Sequence, residues 1–404
     1  MPLAILALAV SAFGIGTTEF VMMGLLPDVA GDLGTSVPTA GYLVSAYALG
    51  VVVGAPLLTA VGARIPRRRM LLLLMGLFTV GNLFSAFAPG YWWLLGGRFL
   101  AGLPHGAFFG VGAVVASRMV AEDRRARAVA AMFLGLTVAN IVGVPAATAL
   151  GQHLGWRATF VVVSVVGLLS LAALSLLIPH QPMEEHGGVG QELRALREPQ
   201  VVLGLLTAVF GFGGVFAVYS YLASMMTKVT GFSDSSVTLL LALFGIGMTL
   251  GALAAGPLTD RALRPTLYGS LAALAVVLVA FHAMAGSKVA APIGVVLLGA
   301  VGFMTTTPLQ MLVMNKARHA PTLASASNHS AFNLANAGGA WLGGAAISAG
   351  WGWTSPSLVG AVLAVVGLAI AVTAGILDRR SPAPVTVSPV VAEGGPRERV
   401  VERA

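Results

Sequence analysis

Twelve apolar runs of roughly bilayer length, separated by short polar segments, limit most tightly what this chain can fold into. They lie near residues 3–26, 39–62, 70–88, 92–115, 128–150, 158–178, 200–224, 236–257, 267–285, 291–314, 324–348 and 354–377. About 20 apolar residues cross a hydrocarbon core as a helix. Backbone in lipid must satisfy its own hydrogen bonds, which leaves helices or closed barrels. Barrel strands would appear as segments of about 10 residues with alternating polarity, and the runs lack that alternation. Only 9% of the 404 residues are charged, against 57% hydrophobic. A water-soluble domain carries about 25% charged residues. The expected fold class is an all-α membrane protein with twelve transmembrane helices. No cationic stretch precedes Leu3 and no small-residue cleavage site follows the first run, so that run reads as a retained span.

The net charge of +8 would suit a nucleic-acid partner, but the basic residues sit in loops between apolar runs. There they report topology. Segments 62–69, 116–127, 179–199, 258–266, 315–323 and 378–404 hold nineteen of the 23 Lys and Arg. The opposite loops hold only Arg157, Lys228 and Lys288. The positive-inside rule therefore places both termini in the cytoplasm of a multi-pass protein of the cell (inner or plasma) membrane. The chain has no cysteine, which excludes disulfides and thiolate metal sites. It has no GxxxxGK[ST] loop to cradle phosphates and no cluster with metal-ligand spacing. Neither cofactor nor metal is expected, nor an enzyme; the partners expected are a small-molecule substrate, protons and lipid, around a monomer.

The longest internal polar segment, 179–199, divides the chain into halves at 1–178 and 200–377. The proline-rich tail 378–404 reads as disordered. The halves repeat. Gly50, Gly54, Ala55, Arg64 and Arg67 recur 197 residues later as Gly247, Gly251, Ala252, Arg261 and Arg264. Ala139, Asn140 and Gly143 recur 196 residues later as Ala335, Asn336 and Gly339. Two pseudo-symmetric six-helix bundles are the pattern of transporters whose halves rock around a midplane site.

The landmarks TTEFVMMGLLPDVA (17–30), YALGVVVGAP (47–56), GRFLAGLPHGAFFGVGA (97–113), LTVANIVGVP (136–145), GWRATF (155–160) and FNLANAGGAWLGG (332–344) give the chain a family likeness. Over residues 3–378 it resembles the major facilitator superfamily, in particular the twelve-helix drug:proton antiporters. Within these it is most similar to the arabinose-efflux-permease-like branch, and it resembles bacterial chloramphenicol exporters. The resemblance implies proton-coupled efflux of a small amphiphilic or drug-like molecule by alternating access, around a path lined by helices 1, 4, 7 and 10. It makes GPLTDRALR (256–264), with Asp260, Arg261 and Arg264, the loop motif of the second half. The first-half counterpart, with Arg64 and Arg67, has Ala63 where an Asp is usual. Arg98 matches an arginine motif of helix 4, and Gly143 and Pro145 lie in a degenerate antiporter motif of helix 5, where Ala147 replaces a frequent Gly. Export of a sugar or nucleoside, and a non-transporting receptor or scaffold, remain as alternatives.

Glu19 is the acid set deepest in any span, with Asp28 and Asp32 expected in the following loop. A charge at mid-bilayer costs about 2.5–3.5 kcal/mol, so a carboxyl there can load and release a proton. The competing reading is a structural carboxyl bonded to a neighbouring helix. Arg98 either tunes that acid or binds an anionic part of the substrate, unless it snorkels to the interface. His105 either shuttles protons or bonds between helices. Phe108, Phe212, Phe216, Tyr219 and Tyr221 are candidate cavity aromatics or simple packing residues. Asn140, Asn333 and Asn336 are substrate contacts or interhelical glue, and Gln310 on helix 10 is a further substrate candidate. Pro145 interrupts helix 5, as a device for bending or as ordinary membrane-helix proline.

Overall fold

The computed structural model describes residues 3–62, 65–121, 125–179, 198–317 and 321–380. Expectations for Arg64, for the linker beyond Pro179 and for the tail beyond Arg380 fall outside these. Among the described residues there are helices and no strands. α1 is Leu3–Asp32, α2 Val37–Gly62 and α3 Arg67–Ala86. α4 comes in two pieces, Tyr91–Gly102 and His105–Arg118. α5 runs Arg125–Val138, widens to a π-turn at Ala139–Gly143 and resumes over Val144–Leu154. α6 is Trp156–Leu177. α7 is Pro199–Tyr219 continued by Leu222–Lys228. One run, Asp234–Met284, holds α8 and α9, which meet at Ala262. α10 is Ala290–Met304 and Thr306–Lys316, α11 Pro321–Ser348 and α12 Ser355–Arg380. These make twelve crossings.

Four details depart from the sequence reading, each for a local reason. α1 continues to Asp32, so Asp28 and Asp32 stand on the helix and not in a loop. There Asp32 accepts from Trp156 Nε1 at 2.9 Å and from Arg157 at 2.6 Å. The expected loop 258–266 shrinks to one non-helical residue, Ala262 (φ −159°, ψ 83°), between Pro257 and Pro265. Thr266 Oγ1 bridges that bend by donating to the carbonyls of Leu258 and Ala262. α4 breaks at Leu103–Pro104, where the ring supplies no N–H. α10 breaks at Thr305, where Thr305 and Thr306 hydroxyls bond back to the Gly302 and Phe303 carbonyls at 2.7 Å.

The repeat in sequence is a repeat in packing. A Cβ on Gly50 or Gly54 of α2 would run into the carbonyls of Phe99 and Leu103 on α4. A Cβ on Gly247 or Gly251 of α8 would run into those of Val296 and Ala300 on α10, 197 residues further in every case. Gly102 meets the Tyr47 carbonyl as Gly299 meets that of Phe244, at the same offset. α1 packs on α5 and α6 as α7 packs on α11 and α12. Even the turns match: Gly155 (φ 87°) and Gly352 (φ 91°) take left-handed conformations just before Trp156 and Trp353. Only glycine reaches these without strain. Outward faces carry exposed Leu, Val, Trp and Phe, such as Leu176, Val276 and Trp92, the surface a lipid solvent requires.

The halves meet at the end of the bundle distal to the termini. Ser45 Oγ on α2 donates to the Ala337 carbonyl on α11 at 2.9 Å. Gln152 on α5 donates to the Asp234 carbonyl on α8 at 3.1 Å. Gly245 of α8 rests on the Asn140 backbone. Tyr221, from the break in α7, is wedged between Gly41 of α2 and Gly344 of α11, its hydroxyl donating to the Ala340 carbonyl at 2.9 Å. That bond lies within the second half and holds the ring in place, while the contact with Gly41 is the one that crosses between the halves. Gly41→Ala, whose methyl would run into the Tyr221 hydroxyl, should overpack the distal seal by about 1 kcal/mol or more, shifting the closed-to-open ratio about fivefold. Because the chain has no cysteine, Ser36→Cys and Ser348→Cys give unique spin-label sites. Their distance distribution should gain a longer component in the Gly41→Ala variant.

Candidate functional site

A polar cluster lies buried within the first half. Close contact of glycines on α2 and α4 draws α4 inward, so that residues on α1, α2 and α4 converge. Arg98 is wholly buried, which rules out snorkelling. Its Nη1 donates to the Thr18 carbonyl at 2.8 Å and to Thr18 Oγ1 at 3.2 Å. Thr18 Oγ1 in turn donates to Asn82 Oδ1 at 2.6 Å. The guanidinium sits 4.5 Å from the centre of the Tyr47 ring, a favourable site for a desolvated cation. Its Nε and Nη2 have no hydrogen-bond partner. Glu19, next in the chain to Thr18, is 6% exposed. Its Oε2 stands 3.9 Å from His105 Nδ1, which lies 3.1 Å from the Tyr47 hydroxyl. Glu19, Arg98 and His105, singled out separately in the sequence, thus share one site.

Thr18, Tyr47 and Asn82 complete that site and were not singled out. A signal for Tyr47 existed. It opens the 47–56 landmark, and its repeat partner Phe244 is the same ring without the hydroxyl. The counterparts of Arg98 and His105 at that offset are Val295 and Gly302, so only the first half carries the polar set.

Phe20 joins this cluster to an aromatic one. Its ring stacks with Phe216 at 6.2 Å and an interplanar angle of 7°. Phe212 packs against Phe216, Phe303 and Phe332, and Tyr219 stacks on Phe244 at 3.9 Å. Phe212, Phe216 and Tyr219 are thus together at the junction of the halves. Phe108 is not with them; it packs edge-on to Phe109 in the core of the first half. Tyr221 belongs to the distal seal.

The amides are buried and under-bonded. Asn336 is 1% exposed with neither side-chain polar atom partnered. Asn333 Nδ2 donates to the His329 carbonyl and Asn140 Nδ2 to that of Leu136, while both Oδ1 atoms lack donors. Gln310 accepts from Asn328. Gly143 packs against Thr17 and Phe13, and Pro145, buried just after the π-turn, explains that turn by leaving the Ile141 carbonyl without its helical N–H. At the terminal end Arg264 and Lys316 both bind the Asp378 carboxylate, Lys316 at 2.5 Å, whereas Asp260 and Arg261 are exposed. Arg67 is partly buried at the start of α3.

Residues 8–340 match the family model described as Major Facilitator Superfamily. The chain is 46% identical over 366 residues to "Inner membrane transport protein YdhP" of Escherichia coli (strain K12), covering 91% of this chain and 94% of that one. It is 34% identical to "Chloramphenicol resistance protein" of Streptomyces lividans, over 92% of this chain and 96% of the relative. Among solved structures, a D-xylose-proton symporter superposes with a TM-score of 0.74 at 16% identity, covering 91% of this chain and 96% of that one.

Proposed function

Because the chain belongs to the Major Facilitator Superfamily, and is thus a multi-pass membrane transporter, we propose that it couples the export of a small amphiphilic molecule to the inward movement of protons. The observation that carries this reading is Glu19, a carboxyl buried on α1 beside His105 and Arg98 at the junction with the aromatic cluster. Ionised carboxylates in the membrane interior are expensive and persist where they serve transport. A proton on Glu19 neutralises that charge and favours one facing state; its release favours the other.

With the termini cytoplasmic, the distal seal is the extracellular gate, and the halves are closed outward. Residues 1–178 and 200–377 then act as two rocking bodies of a monomer joined by 179–199. The aromatic cluster between them takes an apolar ring system, in keeping with the chloramphenicol resistance protein among the relatives. A second reading, sugar export, draws on the unpartnered Oδ1 of Asn333 and the unpartnered amide of Asn336 and on a "Probable sugar efflux transporter" of Helicobacter pylori, 32% identical over 62% of this chain.

The test is uptake into inside-out vesicles with an acid lumen, using labelled chloramphenicol and labelled arabinose. Chloramphenicol should accumulate and leak away when a protonophore is added. Accumulation of arabinose alone selects the second reading, and accumulation that survives the protonophore removes proton coupling.

A further inference from the structure

We infer that Tyr47 is a positioning residue for the proton step: its hydroxyl occupies Nδ1 of His105 and thereby holds Glu19 just outside hydrogen-bonding range of that nitrogen. The inference rests on the proton-coupling reading and adds a residue and a regulation to it. Two groups face a single lone pair. The Tyr47 hydroxyl is at 3.1 Å and Glu19 Oε2 at 3.9 Å. A proton on Nδ1 would favour the carboxyl oxygen whenever Glu19 is ionised, since a carboxylate is the stronger acceptor. The phenol is the nearer of the two, and in the proposed arrangement it donates to Nδ1 while neutral His105 carries its hydrogen on Nε2.

Passage of the Glu19 proton to Nδ1 breaks the O–H bond of the acid and forms an N–H bond on the ring. Nδ1 cannot accept that proton while it accepts from Tyr47, so the phenol must rotate away first. Tyr47 is well placed to be held until then. It is 1% exposed, with Arg98 lying over its ring and Gly102 against its carbonyl. The groups facing His105 are Glu19 from α1, Tyr47 from α2 and, within electrostatic reach, His329 from α11; Arg98, on α4 itself, acts on Glu19 and Tyr47.

The second half provides an internal comparison. At the repeat position Phe244 packs the same ring without a hydroxyl, and the partner of His105 there is Gly302. The hydroxyl is present in the half that has the imidazole to receive it. Phe244 also shows that a phenylalanine fits this packing, so Tyr47→Phe should fold.

The experiment uses the full chain in nanodiscs with ¹⁵N-labelled histidine, the His105 signal being the one lost in His105→Gln. Wild-type His105 should show the Nε2–H tautomer, and Tyr47→Phe should lose that preference. In vesicles, the pH of half-maximal chloramphenicol uptake should rise by about 0.7 pH unit in Tyr47→Phe, the equivalent of one ordinary hydrogen bond to the neutral ring. In a His105→Gln background Tyr47→Phe should cause no further shift, which a merely structural role would not predict. An Nδ1–H tautomer in the wild type, or identical spectra and pH profiles with and without the hydroxyl, overturns the inference. Glu19→Gln, run in parallel, separates the two ideas. If it loses gradient-driven uptake while Tyr47→Phe matches the wild type, the Tyr47 role alone falls; if it keeps that uptake, the coupling reading falls and takes this one with it.

Discussion

Glu19→Gln is expected to abolish concentrative transport while leaving a folded protein that still exchanges substrate across the membrane. The amide has nearly the shape of the acid and no charge, so it mimics a carboxyl that never releases its proton. With no proton to carry, the electrical drive is lost. One charge crossing 100 mV is worth about 2.3 kcal/mol, enough to hold a gradient of roughly forty-fold. Accumulation of chloramphenicol in energised inside-out vesicles should therefore fall from a ratio of that order to about one. Counterflow, in which unlabelled substrate inside drives labelled substrate in, needs no net proton movement and should survive. An energised gradient in the Gln variant equal to that of the wild type would remove Glu19 from the coupling step. Loss of counterflow as well would instead assign Glu19 to substrate binding.

The fold was legible because hydrocarbon burial leaves a strong signature. Each of the twelve runs became a crossing, and the 197-residue offset in glycines became an offset in backbone contacts. What the runs could not show was where a helix breaks inside the membrane. Pro104 and the Thr305–Pro308 stretch look alike to a hydropathy window, yet the first breaks α4 and the second is bent by hydroxyls bonding backward. The site was half legible. Glu19, Arg98 and His105 stood out because charge in an apolar run is conspicuous. Tyr47, Thr18 and Asn82 did not, since uncharged polar residues are common in membrane helices and only their neighbours give them a role. Phe108 could not be told from Phe212 by type or helix; which face of the helix it occupies put it in the core of one half.

The matched glycines carry the second large effect. Alanine normally gains about 1 kcal/mol over glycine inside a helix. At Gly54 the added methyl would lie 2.5 Å from Leu103 Cα, and at Gly251 it would lie 2.9 Å from Ala300 Cα, each also meeting a carbonyl group. These obstacles are backbone, which cannot rotate aside as a side chain can. Helices α2 and α4, or α8 and α10, must move apart, and overpacking of this kind costs about 1–3 kcal/mol or more. Gly54→Ala and Gly251→Ala should each lower the apparent melting temperature in detergent by about 5 °C. Gly76→Ala and Gly269→Ala, where a Cβ would meet nothing within 4 Å, should leave it unchanged or raise it. The two damaging changes should then part company in function. Gly54 sets the distance from α2 to α4 and so the placement of Arg98 and His105 against Tyr47 and Glu19; its variant should lose gradient-driven uptake. Gly251 holds the half without the polar cluster, so its variant should keep proton dependence at whatever level of folded protein remains. Equal thermal loss with unequal coupling is the signature of one packing device used twice around a single proton site. A harmless Gly54→Ala beside a damaging Gly251→Ala would show that the two halves are not built alike.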